Sequence, residues 1–192
     1  MGDSTSRYHE LFFDSRVREQ WVLADPTDEH GEELDPWQFF SGHPIQLTGT
    51  ARISLAAPGR ALDFSFTTLS IPLVHGRLVP LFENLGLQQQ IQFLPVEVVG
   101  QAEPYFIANV LHIIRCIDDA RCEKVEYWKP EDGAPDRAGD YRLVRGLRID
   151  PNHVGDADIF RPRGWSSVLL VSERLKQSLE DHQVGGIRFT AV

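Results

Sequence analysis

Two stretches of the chain change hydrophobic period in the same way, from a helical spacing to a strand-like alternation. In Val168–Val192, Leu175 and Leu179 lie four residues apart beside Arg174, Lys176, Glu180 and Asp181, which is the spacing of one buried helical face. Ser172 is placed to cap that helix, and Glu173 suits the positive end of its dipole. Leu175 stands where a full capping box would need Glu or Gln. Gly185-Gly186 can supply a left-handed stop, after which Ile187, Phe189 and Ala191 alternate with Arg188 and Thr190 at the period of a strand. Leu78–Val96 has the same layout. Leu78, Leu81, Phe82 and Leu85 follow helical spacing, Pro80 fits the first turn and Gly86 is the stop. Ile91, Phe93 and Val96 then match Ile187, Phe189 and Val192 in an I-x-F-x-x-V pattern. Two copies are too few for a solenoid, so the pattern predicts two helix–strand units in one fold or one in each half.

Short strand-like runs fill most of the remaining chain. Leu11–Phe13 and Trp21–Leu23 open it, followed by Ile45–Leu47, Ala51–Leu55, Leu62–Thr67 and Ile71–Val74, with a turn at Pro58-Gly59. Tyr105–Asp118 is apolar on both faces and β-branched, the signature of a central, doubly covered strand. Val125–Trp128, Tyr141–Ile149, Ile159-Phe160 and Val168–Leu170 read as further strands, separated by loops at Pro130–Asp140 and Asp150–Asp158. The expected class is α+β, with a mixed, largely antiparallel sheet and two helix–strand units, one before Ile91 and one before Ile187. Residues 1–70 form a β-rich acidic region and 71–192 an α+β domain, or the two form one continuous domain.

Composition narrows the possibilities. A chain of 192 residues with 42% hydrophobic and 24% charged residues can bury a sizeable core. No apolar run reaches the roughly 18 residues of a membrane span. The N-terminus has no basic segment leading into an apolar one, so no signal peptide is expected. Gly2 and Ser6 fit only the short outline of a myristoylation signal. Cys116 and Cys122 make no disulfide framework, and two reduced cysteines in a cytoplasmic protein are expected. The net charge is −9, and residues 1–35 hold ten acids against three bases. Such a surface repels nucleic-acid phosphates and attracts a basic partner.

Candidate chemistry is sparse. There is no dinucleotide-binding or Walker glycine loop, no G-x-S-x-G, no H-E-x-x-H and no C-x-x-C, and the seven histidines are scattered. Asp150–Gly155 begins like a calcium loop, but Arg161 stands where the bidentate Glu belongs. His112 and Cys116 have the residue types of a nucleophilic pair. On one strand they would lie about 13 Å apart, too far for a catalytic hydrogen bond. Asp118-Asp119 reads as a strand-end turn. No catalytic residue, metal site or cofactor is expected.

The acidic run Asp25–Asp35 carries Asp25, Asp28, Glu29, Glu32, Glu33 and Asp35, and leads into Trp37, Phe39 and Phe40. It reads either as a solvated loop followed by core aromatics or as a recognition surface, because acids rimming exposed aromatics suit a protein partner bearing Arg and Lys.

The pattern Leu170-Val171-Ser172-Glu173-Arg174-Leu175-Lys176, closed by Gly186 and Phe189, resembles the end of a bacterial immunity-protein family. That family accompanies polymorphic toxins and was first catalogued as a domain of unknown function with a myxobacterial prototype. Ile91–Val96, Tyr105–Leu111 leading to Asp118, and Ile159-Phe160-Arg161 agree with it. The resemblance covers Ile71–Val192; the first seventy residues match no part of it, and Val79-Pro80-Leu81 departs from the family's Val-Ser-Glu. It implies a cytoplasmic, non-enzymatic protein that binds and blocks a cognate toxin; the contact surface expected for it, read from charge and aromatics and not from the resemblance, is Asp25–Asp35 with Trp37, Phe39 and Phe40. The competing readings are a small hydrolase-like enzyme using His112 or Asp118, and a chaperone for a secreted effector.

Overall fold

The computed structural model describes residues 7–192; Asp3 and the Gly2–Ser6 outline lie outside them. Fourteen strands and two α-helices follow in order, an α+β class with mixed, largely antiparallel sheets, as the patterning predicts. The strands are β1 (Tyr8–Phe13), β2 (Val22–Leu23), β3 (Ala51–Ile53), β4 (Leu55–Ala57), β5 (Phe64–Phe66), β6 (Pro72–His75) and β7 (Ile91–Val98). After them come β8 (Tyr105–Val110), β9 (Ile113–Ile114), β10 (Lys124–Tyr127), β11 (Tyr141–Arg145), β12 (Ile159–Pro162), β13 (Leu169–Ser172) and β14 (Ile187–Ala191). Helix α1 (Val79–Asn84) joins β6 to β7, and α2 (Glu173–Asp181) joins β13 to β14.

Two five-stranded sheets dominate, ordered β3-β7-β8-β6-β5 and β14-β1-β13-β12-β9. Both take strands from either side of residue 70. They share a four-strand motif, since β7-β8-β6-β5 and β14-β1-β13-β12 have the same neighbours and every pairing within them is antiparallel. In chain order β5-β6-α1-β7-β8 therefore matches β12-β13-α2-β14-β1. The last strand of the first motif follows its hairpin directly, whereas its counterpart β1 comes from the opposite end of the chain.

Side-chain chemistry repeats with the backbone. Leu73-Val74-His75-Gly76-Arg77-Leu78 matches Leu170-Val171-Ser172-Glu173-Arg174-Leu175 at Leu, Val, Arg and Leu. His75 accepts from the Arg77 N–H to cap a 3-10 turn, and Ser172 accepts from the Leu175 N–H to cap α2. Arg77 pairs with Asp63, and Arg174 with Asp158. Tyr105 donates its hydroxyl to the Leu62 carbonyl at 3.2 Å, and Tyr8 donates to that of Gly155 at 3.3 Å.

One shared core lies between the motifs. Val74, Leu78, Leu81, Phe82 and Ile91 meet Leu11, Ile159, Val171, Leu175 and Leu179, each large side chain contributing about 1.5–3 kcal/mol by its burial. The far face of the first sheet packs under residues 21–55, with Trp21, Leu23, Phe39 and Ile53 against Leu73 and Ile107. The far face of the second packs under Cys116, Ile149 and Val154. Central strands thus have both faces covered, which accounts for the apolar character of β8.

Three expectations need correction. The apolar run Tyr105–Asp118 is not one strand: it breaks at Leu111-His112, and β9 crosses to pair with β12 in the other sheet. Ile45–Leu47 forms no strand, because the Gln92 side chain binds both the N–H and the carbonyl of Ile45 at 2.9 Å and takes the place of a neighbouring strand. The left-handed residue after α2 is Gln183 rather than a glycine. Gly186 is needed for a close approach instead. At φ +100° it lies so near β5 that a Cβ would sit 2.1 Å from the Phe64 carbonyl oxygen.

Candidate functional site

The acidic run is an ordered loop. Asp28 accepts from the backbone N–H groups of His30 and Glu32 at 2.8 and 2.9 Å. Those donors, Glu32's foremost, hold its carboxyl below the usual carboxylate range. Thr27 bridges both to Glu33 and to Arg52, which fastens the loop to β3. Asp35 caps the 3-10 turn Pro36–Phe40 by accepting from the Trp37 N–H at 3.0 Å. Asp25 accepts from the Thr68 hydroxyl and from the Leu69 N–H, tying the loop to the β5–β6 turn.

These bonds separate the nine expected contact residues into braces and exposed groups. Asp25 and Asp28 are half-buried and brace backbone, whereas Glu29, Glu32, Glu33 and Asp35 are exposed. Trp37 is 68% exposed, and its ring lies 6.1 Å from that of half-buried Phe40. Phe39 is 1% exposed and belongs to the core under the first sheet, so it cannot touch a partner. With three residues per turn, the 3-10 segment sends successive side chains in different directions, and Phe39 points inward.

Sequence patterning missed the surface beside this loop. Two cavities, of about 390 and 700 Å³, share Thr68, Ser70 and Ser167 as a common rim. Leu69, 50% exposed, stands on that rim. Glu10, Trp21, Val22 and Phe66 line the smaller cavity, and Trp37, Phe40, Asp136 and Asp140 line the larger. Four of the large exposed apolar residues, Phe13, Val22, Trp37 and Leu69, lie here. The signal in the sequence was weak, since these residues come from six separate segments.

The groups considered for catalysis are not assembled. His112 sits in the link between the sheets, half-buried. Burial pushes the Cys116 thiol up to about 12, which removes the thiolate that nucleophilic attack requires. Asp118 lies in a turn, its backbone carbonyl accepting from the Arg121 and Cys122 N–H groups. Asp119 accepts from the hydroxyls of Tyr127 and Tyr141, a strut for the β10–β11 hairpin. Among the described residues, no three His, Cys, Asp or Glu side chains converge to hold a metal. No helix in them is long and apolar enough to cross a membrane.

The described residues thus combine a braced acidic loop with an apolar, cavity-bearing face. The sequence model of the immunity protein family Imm11 matches residues 17–192, and the chain belongs to that family. The match begins well before Ile71, so residues 17–70 are part of the family pattern as well. A comparison with curated proteins finds no match.

Proposed function

We propose that this chain is a cytoplasmic, non-enzymatic immunity protein that binds a cognate bacterial toxin and blocks it by covering its active site or the approach to it. Membership of the immunity family carries this reading. The surface supports it: Glu29, Glu32, Glu33, Asp35 and Trp37 are all exposed, and the net charge of −9 favours encounter with a basic protein. Asp25 and Asp28 act from below, by holding the loop in shape.

The test uses the protein encoded by the adjacent reading frame. It should be retained by this chain in a pull-down, and its toxicity should fall in proportion to the amount of this chain, with protection complete near equimolar. Protection far below equimolar would indicate turnover, and the binding reading would fail. Reversing the charge of Glu29, Glu32 and Glu33 together should slow association about tenfold or more at low salt, with the difference shrinking as salt rises. Unchanged association would rule out this loop as the contact.

A further inference from the structure

The two cavities and the ridge between them have features that fold stability does not call for. The β5–β6 turn presents Leu69 to solvent between the cavities, with half its surface exposed. Ser70 beside it is left-handed, at φ +64°, a conformation that costs a non-glycine residue about 1–3 kcal/mol and persists where the surroundings over-determine it. They do so here. Asp25 grips Thr68 and Leu69 from one side, the Thr68 N–H donates to the Leu23 carbonyl at 3.1 Å, and the Ser70 N–H donates to that of Thr67 at 2.9 Å. An exposed apolar side chain on a strained and clamped turn is a preorganised contact, since a partner that binds it need not order it.

Charge in the cavities has one prevailing sign. Among the described residues, Glu10 is the only charged one lining the smaller cavity, beside Trp21, Val22, Phe66 and other apolar or hydroxyl-bearing neighbours. No hydrogen bond or ion pair from those residues reaches its carboxylate, and burial raises its pKa. In the larger cavity Asp136 and Asp140 outnumber Arg137, whose guanidinium is stacked 4.7 Å from the Trp128 ring. No lysine among the described residues lines either cavity. The acidic loop reaches the same face, because Trp37 at its end lines the larger cavity.

We propose that the paired cavities and the Leu69 ridge form the socket for a basic, partly apolar segment of the cognate toxin, with one of its lysine or arginine side chains inserted beside Glu10. The aliphatic stem of that side chain packs on Trp21, Val22 and Phe66, and its cation supplies the partner that Glu10 lacks among the described residues. The proposal rests on the immunity reading, and adds the surface and the chemistry of what occupies it.

The experiment measures binding of the adjacent-frame toxin to the full chain and to two variants. Leu69→Ala removes an exposed side chain, and Glu10→Gln removes a carboxylate with no partner among the described residues, so both should fold with unchanged or higher melting temperatures. Each is expected to weaken binding at least tenfold, mainly through faster dissociation. In a double-mutant cycle, one toxin lysine or arginine should lose its effect once Glu10 is Gln. If both variants bind within twofold of the parent while the parent neutralises the toxin, the socket is wrong and the immunity reading stands. If the parent does not bind the toxin, both fail. If the parent is a dimer that Leu69→Ala turns into a monomer, the face belongs to a second copy of the chain and the proposal is overturned.

Discussion

Arg161 is among the largest fully buried side chains of the described residues, and its environment compensates it only in part. One guanidinium nitrogen donates to the Ser166 carbonyl at 2.6 Å, and the group lies 4.6 Å from the centre of the Phe40 ring. Nε and the other terminal nitrogen have no protein acceptor among the described residues. Burial pulls the pKa down to about 9, so the group stays charged at neutral pH and bears the cost of leaving water. That cost is several kcal/mol, against about 2 kcal/mol for a desolvated cation–ring contact and 1.5–3 kcal/mol, roughly, for one charged hydrogen bond. Arg161→Met, which keeps most of the volume, is therefore expected to leave the unfolding free energy unchanged or raise it by about 1–4 kcal/mol. Urea titration checks this, and a loss above about 2 kcal/mol would show that the guanidinium is net stabilising. Arg161→Ala should be destabilising, because it opens a cavity. Little in the sequence marks Arg161 as buried: it sits between Phe160 and Pro162-Arg163, a pattern that fits an exposed strand end equally well. Trp37 and Phe39 show the same limit. Proximity in sequence grouped them as one aromatic surface, and a single 3-10 turn sends one outward and the other into the core.

The two motifs allow one interaction to be compared in two settings. Asp63–Arg77 and Asp158–Arg174 occupy equivalent places, but the Asp63 side chain is 25% exposed and that of Asp158 only 9%. Arg77 holds the Asp63 carboxyl below its ordinary value; water can do much of the same work once Arg77 is removed. Asp158 would keep the Ser172 hydroxyl and little else. Arg174→Ala is thus expected to cost about 2–3 kcal/mol, as for a charged hydrogen-bonded group left buried. Arg77→Ala should cost about 1 kcal/mol or less, as for an exposed pair. Chemical denaturation of the two variants decides the matter, and equal losses would mean that burial does not set the difference. The two helix–strand units were legible because each changes period within one short stretch, and β8 because both its faces are apolar. The Leu-Val-x-x-Arg-Leu repeat was also present in the sequence, yet its meaning depends on β1 standing where β8 stands, a pairing between opposite ends of the chain. Ile45–Leu47 misled for a related reason: its strand-like pattern is satisfied by one glutamine amide, which no local period reveals.

At the scale of the whole molecule, the duplication turns chain order into a testable variable. Among the described residues β14 pairs only with β1, and β1 separates it from β13. A chain beginning at residue 71 would lose all five strands from β1 to β5, leaving β14 without a neighbour, and would remove Leu11 and Phe64 from the shared core. It should show no cooperative unfolding transition. The opposite operation should be tolerated. Val99–Pro104 carries the chain from β7 to β8 in the first motif; in the second, the Val192 N–H donates to the Tyr8 carbonyl at 3.2 Å, so the corresponding strand ends already adjoin. A permuted chain that starts in the exposed Pro130–Asp140 loop and joins Val192 to Arg7 through a linker of about four residues would convert the second motif to the connectivity of the first. Shortening the path between paired strands lowers the entropy of loop closure and keeps every strand pairing described for either sheet. Cutting the β10–β11 hairpin loop acts against this, but that hairpin is a separate two-stranded sheet. The permuted chain is expected to unfold in a single transition, with its midpoint within several degrees of the parent. Loss of the cooperative transition on permutation would mean that the two motifs are alike in strand order without being equivalent in how they hold the molecule together.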